Sequence, residues 1–337
     1  MARFADIIDQ TQMKDHLQNA LRTGKVSHAY IIAGEKESGK EFIAGIFAKT
    51  LQCEDRQETG GYMEACDECH SCIQAEHMDH PDIITVTHEK PGSIGVDEIR
   101  AQVRDDVQIK PYSGKYKIYI IPEGEKMTAS AQNALLKTLE EPPAYVVIII
   151  LTENTEAFLP TIISRCIVLP MKPASDDSVR KFLMEQIKIV DYKADLCVAF
   201  ARGNVGKAIQ LAQNEEFEEL RNQTISLVQN LGRKEIFEIN TTVHEIITAQ
   251  EQDRKQDFLD VLTFWFRDVL VCKATEEDDH LIFRDKISYI RDTADRCSYE
   301  GLNRIIEAMR KARKRLDANV NADLALEMLM IAVKENL

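Results

Sequence analysis

The sequence predicts an α/β fold with a parallel sheet in its first half and an all-α fold in its second half. Short apolar, β-branched segments alternate with helical patterns as far as residue 170, and no strand pattern follows Pro173. Strands that alternate with helices are typical of a parallel sheet covered on both faces. Between the first such strand and the next helix lies the loop GEKESGK, residues 34–40. We therefore expect a phosphate-loop domain followed by helical domains.

The predicted elements around this loop occur in the order that a phosphate loop requires. A helix is expected over residues 13–22, where an apolar residue recurs at every fourth position. Residues 28–34, HAYIIAG, predict a strand that ends at a glycine, and a further helix is expected from about Lys40. Strand, glycine loop and helix together are the structural context of phosphate binding.

Four more strands are predicted in the first half of the chain. Each is nearly continuous in apolar residues, as strands buried on both faces are. Helical patterns at residues 97–107 and 130–142 separate several of them. The predicted strands are DIITV at 82–86, KIYIIP at 117–122, VVIIIL at 146–151 and CIVLP at 166–170.

The remainder of the chain has a helical pattern. We predict that the helical pattern is interrupted near residues 201–207 and that a polar segment near residues 213–218 crosses from one helical domain to the next. The last helix, at 322–333, is apolar nearly all round, which is typical of a helix covered by a core or by a neighbour. One broad apolar face is expected from Phe258, Val261, Leu262, Trp265, Phe266 and Val269.

Composition limits the kinds of partner. A net charge of −14 over 337 residues argues against a protein that grips nucleic acid over most of its surface. One local basic contact stays open at residues 309–316, MRKARKRL, with a solvated helix face as the alternative. The longest apolar run, at 144–151, is too short to span a bilayer, and the first residues do not form a signal peptide. A cytoplasmic protein is expected.

Four of the eight cysteines crowd into one short segment and predict a structural zinc site. Cysteines three positions apart can reach one ion from a tight turn, and four thiolates complete the tetrahedron that Zn²⁺ prefers. Such a site has no open position for catalysis. The alternatives are a redox pair, or a mixed site that uses His70, His77 or His80. The predicted ligands are Cys53, Cys66, Cys69 and Cys72.

The phosphate loop has lost a residue that binds magnesium. Backbone groups of the loop and Lys40 could hold phosphates, but Glu41 replaces the usual hydroxyl. A carboxylate about 4 Å from a phosphate oxygen costs roughly 4 kcal/mol at an effective dielectric constant near 20. Glu41 could itself bind Mg²⁺, so binding of ATP or ADP is weakened rather than excluded. An empty site explains Glu41 more simply, because an acid favours the first turn of a helix. The candidate phosphate-binding residues are Gly34, Ser38, Gly39 and Lys40.

A second magnesium position has changed as well. Enzymes that hydrolyse nucleotides in this way end a buried strand with Asp-Glu, whereas here the strand runs into Pro122 and Glu123. Proline has no carboxylate. Because both positions are altered together, we predict that the chain alone does not hydrolyse ATP.

These residues resemble the clamp-loader branch of the AAA+ proteins, in the DNA polymerase III holoenzyme of bacteria. The resemblance is distinctive in NALLKTLEEPP and SRC and extends from FADIIDQTQ to NVNADLALEML, nearly the whole chain. It implies an AAA+ domain over residues 1–171 with a zinc module at about 53–80, a helical lid over 172–212, and a helical collar over 213–337.

The resemblance also implies the partners. Clamp-loader subunits of the gamma/tau and delta types form a pentameric ring that places the sliding clamp on primed DNA. Glu41 and Pro122 separate this chain from the hydrolysing gamma/tau type, which is the alternative, and make it similar to the non-hydrolysing type. In the family the arginine of SRC projects into a neighbour's nucleotide site, so the resemblance implies that Arg165 acts in trans as an arginine finger. Thr152 matches a polar position near the γ-phosphate, with a strand-end cap as its alternative.

Overall fold

The protein is described by a computed structural model over residues 2–247, 252–275, 281–318 and 321–337, without the side chains of residues 252 and 253. It divides into two compact units. The first runs to Val179 and also includes Arg202–Lys207, and the second comprises Arg180–Ala201 and Ala208–Leu337. The division into lid and collar at residue 212 stays a prediction.

A five-stranded parallel sheet forms the centre of the first unit, as predicted. Its strand order is β4-β5-β6-β1-β7, and each neighbouring pair is parallel. The two remaining strands, β2 and β3, form a separate antiparallel hairpin. The strands are β1 Ala29–Ala33, β2 Gln57–Thr59, β3 Tyr62–Glu64, β4 Ile83–Thr85, β5 Lys117–Ile121, β6 Val146–Thr152 and β7 Ile167–Pro170.

Helices cover both faces of this sheet. Alternate residues of β1 point to opposite faces, so that Tyr30 and Ile32 belong to one apolar cluster and Ala29 and Ile31 to another. The first cluster includes α1 and α2, and the second includes α5. The helices of this part are α1 Thr11–Thr23, α2 Lys40–Gln52, α3 His70–Glu76, α4 Val96–Ile99, α5 Ala129–Glu140, α6 Pro160–Ile163 and α7 Asp176–Phe182.

The single helix predicted at 97–107 is a succession of shorter helical segments. After α4 the backbone continues as a π-helix over Arg100–Arg104 and then as a 3-10 turn over Asp106–Gln108. The N–H of Asp105 donates to the carbonyl of Arg100 at 2.9 Å, a five-residue spacing that widens the turn. The periodicity therefore predicted helical structure but not its change of pitch.

The second half of the described chain is helical, as predicted. One expectation is wrong: α10 begins at Glu215, so most of the polar segment 213–218 is a helix start rather than a crossing. The side chain of Asn214 caps it by accepting from the N–H groups of Glu216 and Phe217, and acids in the first turn favour the helix dipole. The helices are α8 Asp191–Ala201, α9 Val205–Gln213, α10 Glu215–Asn230, α11 Ile236–Ile247, α12 Gln252–Thr275, α13 Ile287–Arg296, α14 Tyr299–Asp317 and α15 Ala322–Asn336.

The apolar face predicted on α12 is confirmed. All six of its predicted residues are at most 1% exposed, and Trp265 packs against Phe283 with ring centroids 5.7 Å apart. On the last helix, α15, Leu324 and Met328 are about half exposed in this chain, and covering by a neighbour stays a prediction. No helix within the described ranges combines the length and the apolarity needed to cross a membrane.

Candidate functional site

The four cysteines of the predicted metal site converge. Their Sγ atoms all lie within 4.8 Å of one another. Four sulfurs around one tetrahedral Zn²⁺ would be about 3.8 Å apart, given a Zn–S distance of about 2.3 Å. The atoms therefore need only small shifts to hold one ion, and the donor set fits zinc. They come from the residue after α2, from the loop after β3, and from the start of α3.

Backbone N–H groups donate to sulfur atoms of the cluster and so favour the deprotonated, thiolate form of the cysteines. Cys66 N–H donates to the Sγ of Cys53 at 3.2 Å, and Cys69 N–H donates to the Sγ of Cys66 at 3.4 Å. Burial alone would raise the pKa of the Cys66 thiol, but backbone N–H groups of Glu68 and Cys69 outweigh it and lower that pKa to about 7. Burial raises the pKa of the Cys72 thiol, which would need a cation close by to ionise.

The histidines considered as alternative ligands do not join this group. His80 is buried, with Nε2 at 2.8 Å from the Ser71 hydroxyl and Nδ1 accepting the N–H of Asp82 at 3.1 Å. Both ring nitrogens thus have other partners. In the described part of the chain, the convergent ligand atoms are those of the four cysteines, without His70 or His77.

Charged residues that the sequence analysis did not identify attach this cysteine module to the sheet domain. Lys49, on α2, places its Nζ 2.7 Å from a carboxylate oxygen of Asp67, which lies between Cys66 and Cys69. Glu64, at the end of β3, accepts the N–H groups of Phe4 and Ala5 at 2.9 and 3.0 Å. A lysine within the otherwise apolar run FIAGIFAKTL was the available signal, because such a lysine needs a buried partner.

The phosphate loop lies between β1 and α2, as predicted, and its lysine is occupied by the loop itself. The Nζ of Lys40 donates to the carbonyls of Gly34 at 2.8 Å and Glu35 at 2.6 Å, and Lys40 is only 5% exposed. Gly39 has a φ of 93° and forms the start of α2. Glu41 is exposed in the first turn of that helix, where the helix dipole favours its charge.

Groups of the same compact unit also contact the rest of the loop. The side-chain amide of Asn204 donates to the carbonyl of Lys36 at 2.8 Å, and a Cβ on Gly206 would lie 1.9 Å from the carbonyl oxygen of Glu37. On the other side, the Ser38 hydroxyl lies 3.4 Å from the sulfur of Met171. The predicted phosphate-binding residues are therefore brought together, and the Lys40 ammonium and the Ser38 hydroxyl contact groups of the chain itself.

Glu123, the acid that follows β5, also has partners within the chain. Glu123 accepts from Lys126 at 2.6 Å and lies 3.1 Å from the imidazole of His88. The hydrogen bond from Lys126 lowers the pKa of the Glu123 carboxyl below its ordinary value. Thr152 is fully buried at the end of β6, and its hydroxyl donates to a carboxylate oxygen of Glu125 at 2.8 Å. This bond fits the strand-end cap.

Arg165 lies just after α6, on the surface of the first unit. Its Nη2 is 2.8 Å from a carboxylate oxygen of Glu140, the last residue of α5. Its Nη1 donates to the carbonyl of Thr161 at 2.9 Å and to the hydroxyl of Ser164 at 3.3 Å. The side chain is 34% exposed, so a negatively charged group outside the unit can reach it.

Comparison with known proteins places the chain in a family. A family model described as DNA polymerase III, delta subunit, matches residues 9–175, and a model of the C terminal of that subunit matches residues 215–335. The chain is 31% identical to DNA polymerase III subunit delta′ of Bacillus subtilis, over 97% of this chain and 96% of that protein. It is 27% identical to subunit tau of the same organism, over 98% of this chain and 61% of that protein.

A solved structure has the same fold. A DNA polymerase III gamma subunit-related protein of Thermotoga maritima matches with a TM-score of 0.52 at 19% identity, over 95% of this chain and 99% of that one. The resemblance seen in the sequence is confirmed at the level of the family. The chain belongs to the clamp-loader family of DNA polymerase III subunits, and its match to delta′ spans nearly the whole of both proteins.

Proposed function

We propose that this chain is the non-hydrolysing, delta-prime-type subunit of a bacterial DNA polymerase III clamp loader. One observation carries the proposal: the polar groups of the nucleotide-binding fold are used inside the chain. Lys40 bonds its own loop, Glu123 bonds Lys126, and Thr152 bonds Glu125. Together with Glu41 and Pro122, which replace the usual magnesium ligands, these bonds disfavour productive binding of a nucleotide with Mg²⁺.

The proposed contribution to catalysis is made in trans. A guanidinium offered to the transferring phosphoryl group of a neighbour's ATP stabilises charge that develops in the transition state. Arg165 is suited to this because its backbone is held by the short helix α6 and its side chain remains accessible. In this proposal the chain works in a cytoplasmic pentameric ring with gamma/tau-type and delta-type subunits. The assembled ring, rather than this chain alone, loads the sliding clamp onto primed DNA.

The four cysteines are proposed to bind one structural Zn²⁺. When bound, the ion would offset two of the four thiolate charges and tie the start of α3 to the end of α2. Because no coordination position remains open, the ion would take no part in hydrolysis. Mass spectrometry of the intact chain under native conditions is expected to give one zinc per chain, and a metal-free chain would contradict the assignment.

Two measurements test the main proposal. The purified chain is expected to turn over no ATP with Mg²⁺. In a ring reconstituted with its partner subunits, Arg165→Ala is expected to lower the DNA-stimulated ATPase rate by at least about 10³-fold at the affected site, as for other arginine fingers. The matched control is Arg22→Ala, because Arg22 is a similarly exposed arginine paired with a glutamate at 3.1 Å. An Arg165→Ala ring that keeps the normal rate would remove the finger from the proposal.

The alternative is an ATP-hydrolysing gamma/tau-type subunit, which the match to tau over 98% of the chain favours. In that case Glu41 would serve as an unusual magnesium ligand. Its test is the single substitution Glu41→Thr: hydrolysis by this variant alone would mean that Pro122 is tolerated and would support the alternative. Hydrolysis by the unmodified chain would do the same.

A further inference from the structure

The ion pair between Glu140 and Arg165 joins two segments that the sequence separates. Glu140 is the last residue of α5, and Arg165 follows α6. The pair measures 2.8 Å from Nη2 to Oε1, and the side chains are 34% exposed for the arginine and 50% for the glutamate. Both segments belong to the same compact unit, and their backbones are held by helical hydrogen bonds.

Helix stability does not explain the carboxylate at position 140. The carboxyl end of a helix carries a partial negative charge, which disfavours an acid in the last turn. Glu141 follows directly and adds a second negative charge. Of these two exposed acids, Glu140 contacts Arg165. Arg165 thus offsets the negative charge of Glu140, which is unfavourable at the end of a helix. The ion pair also restricts the orientation of the Arg165 side chain.

The bonds of Arg165 leave part of its guanidinium available. An arginine has five N–H groups in a planar fork. Nη1 is used by the Thr161 carbonyl and the Ser164 hydroxyl, and one hydrogen of Nη2 is used by Glu140. Among the residues that the structure describes, the Nε–H and the second hydrogen of Nη2 have no acceptor, and they remain to bond an oxygen outside the unit. Glu140 can therefore stay bonded to the guanidinium of Arg165 while the remaining N–H groups bind an anion.

We propose that Glu140 is the positioning residue for Arg165. It holds the guanidinium in one orientation before a neighbouring subunit presents the phosphates of its nucleoside triphosphate. Holding the side chain in advance reduces the conformational entropy lost in the transition state. This inference rests on the proposed function, because it gives Arg165 the role of an arginine finger.

The test uses the reconstituted ring with Glu140→Gln in this chain. An exposed arginine–carboxylate pair stabilises an arrangement by a factor of up to about 5, so a fall in kcat of about 3- to 5-fold is expected with KM unchanged. Glu141→Gln is the matched control, since it removes the neighbouring exposed acid, and it is expected to leave kcat unchanged. Thermal unfolding of each variant chain checks that it remains folded.

A double-mutant cycle separates positioning from a general structural effect. If Glu140 acts through Arg165, Glu140→Gln has no further effect once Arg165→Ala is present. An equal fall in both backgrounds would overturn the inference, as would an unchanged or higher kcat for Glu140→Gln alone. The arginine substitution tests the proposed function separately. A ring that is insensitive to Arg165→Ala refutes the finger, whereas a ring sensitive to Arg165→Ala but not to Glu140→Gln refutes only the positioning.

Discussion

The Nζ of Lys49 lies 2.7 Å from a carboxylate oxygen of Asp67, and the two side chains are only 5% and 8% exposed. Lys49 comes from α2, which packs on the sheet, and Asp67 comes from the turn that carries Cys66 and Cys69. The same ammonium also donates to the carbonyl of Ala2 at 2.8 Å. A buried ion pair therefore connects the cysteine module, the sheet domain and the first described residues.

Breaking this pair is expected to destabilise the first unit. Asp67→Asn removes the nearer of the two carboxylates that pair with the nearly buried Lys49 ammonium, and Glu76 remains 3.3 Å away. We expect a loss of about 1 to 3 kcal/mol in the free energy of unfolding, the range for a hydrogen bond to a charged group. Urea unfolding at pH 7 measures the change. Glu68→Gln is the control because Glu68 is the adjacent, exposed acid. Equal stabilities for the two variants would contradict a structural role for the pair.

Metal removal is expected to loosen the first described residues as well as the module. Glu64 lies two positions before Cys66 and accepts the N–H groups of Phe4 and Ala5. If zinc holds the module, a chelator should speed amide hydrogen exchange at these two residues. The amides of β1 serve as the internal control, because strand β1 pairs with β6 and β7 and does not depend on the module. Unchanged exchange at Phe4 and Ala5 would contradict this coupling.

The hydrogen bonds to the Asp82 carboxylate are expected to make the stability of the fold depend on pH. Its buried carboxylate accepts the N–H groups of Tyr112, Ser113 and Gly114 at 2.6 to 2.8 Å. Burial alone would raise the pKa of this carboxyl, but the three backbone donors outweigh it and hold the pKa below the ordinary value of 3.8. A lowered pKa stabilises the fold above the unfolded-state value, and this contribution is lost as pH falls through the folded-state value.

Asp82→Asn is therefore expected to cost about 2 kcal/mol at pH 7, the range of hydrogen bonds to a charged acceptor. The difference from the unmodified chain should shrink as pH falls below about 4, where the unfolded-state carboxyl of Asp82 becomes protonated, until the folded-state carboxyl is protonated at lower pH. Urea unfolding of both chains at several pH values measures this difference in free energy. Because both chains have the same cysteines, any effect of protonating the thiolates cancels in the difference. Asp97→Asn should show no such trend, because the Asp97 side chain is 90% exposed. A constant difference for Asp82→Asn from pH 7 to pH 3 would be inconsistent with this account.

Gly206→Ala tests the close approach of residue 206 to the phosphate loop. A Cβ at this position would lie 1.9 Å from the carbonyl oxygen of Glu37, so the backbone must move. We expect a loss of about 1 to 3 kcal/mol in the free energy of unfolding, as for other overpacked sites. Gly45→Ala is the matched control: Gly45 lies within α2, and apart from the neighbouring backbone of that helix no atom lies within 4 Å of an added Cβ. That change should stabilise the chain by about 0.5 to 1 kcal/mol. A neutral Gly206→Ala would mean that the contact is not required.

Local patterns predicted the sheet and the cysteine group well. Strands buried on both faces must be apolar at nearly every position, so all five strands of the sheet were recognisable in the sequence. The cysteines were recognisable because two of their spacings fit within a single turn. The start of α10 was predicted wrongly, since a cluster of glutamates reads as a polar loop until the cap at Asn214 is known.

The sequence by itself determined the order of the elements, the set of converging cysteines, and the residue types at positions 41 and 122 on which the proposed loss of magnesium ligands rests. Each of these depends on residue types at short spacing. Only the tertiary structure decided that Lys40 bonds its own loop, that Lys49 pairs with Asp67, and that Glu140 pairs with Arg165. Polar side chains such as these can pair with many partners along the chain, and folding of the sheet and its helices selects one of them by bringing the segments together.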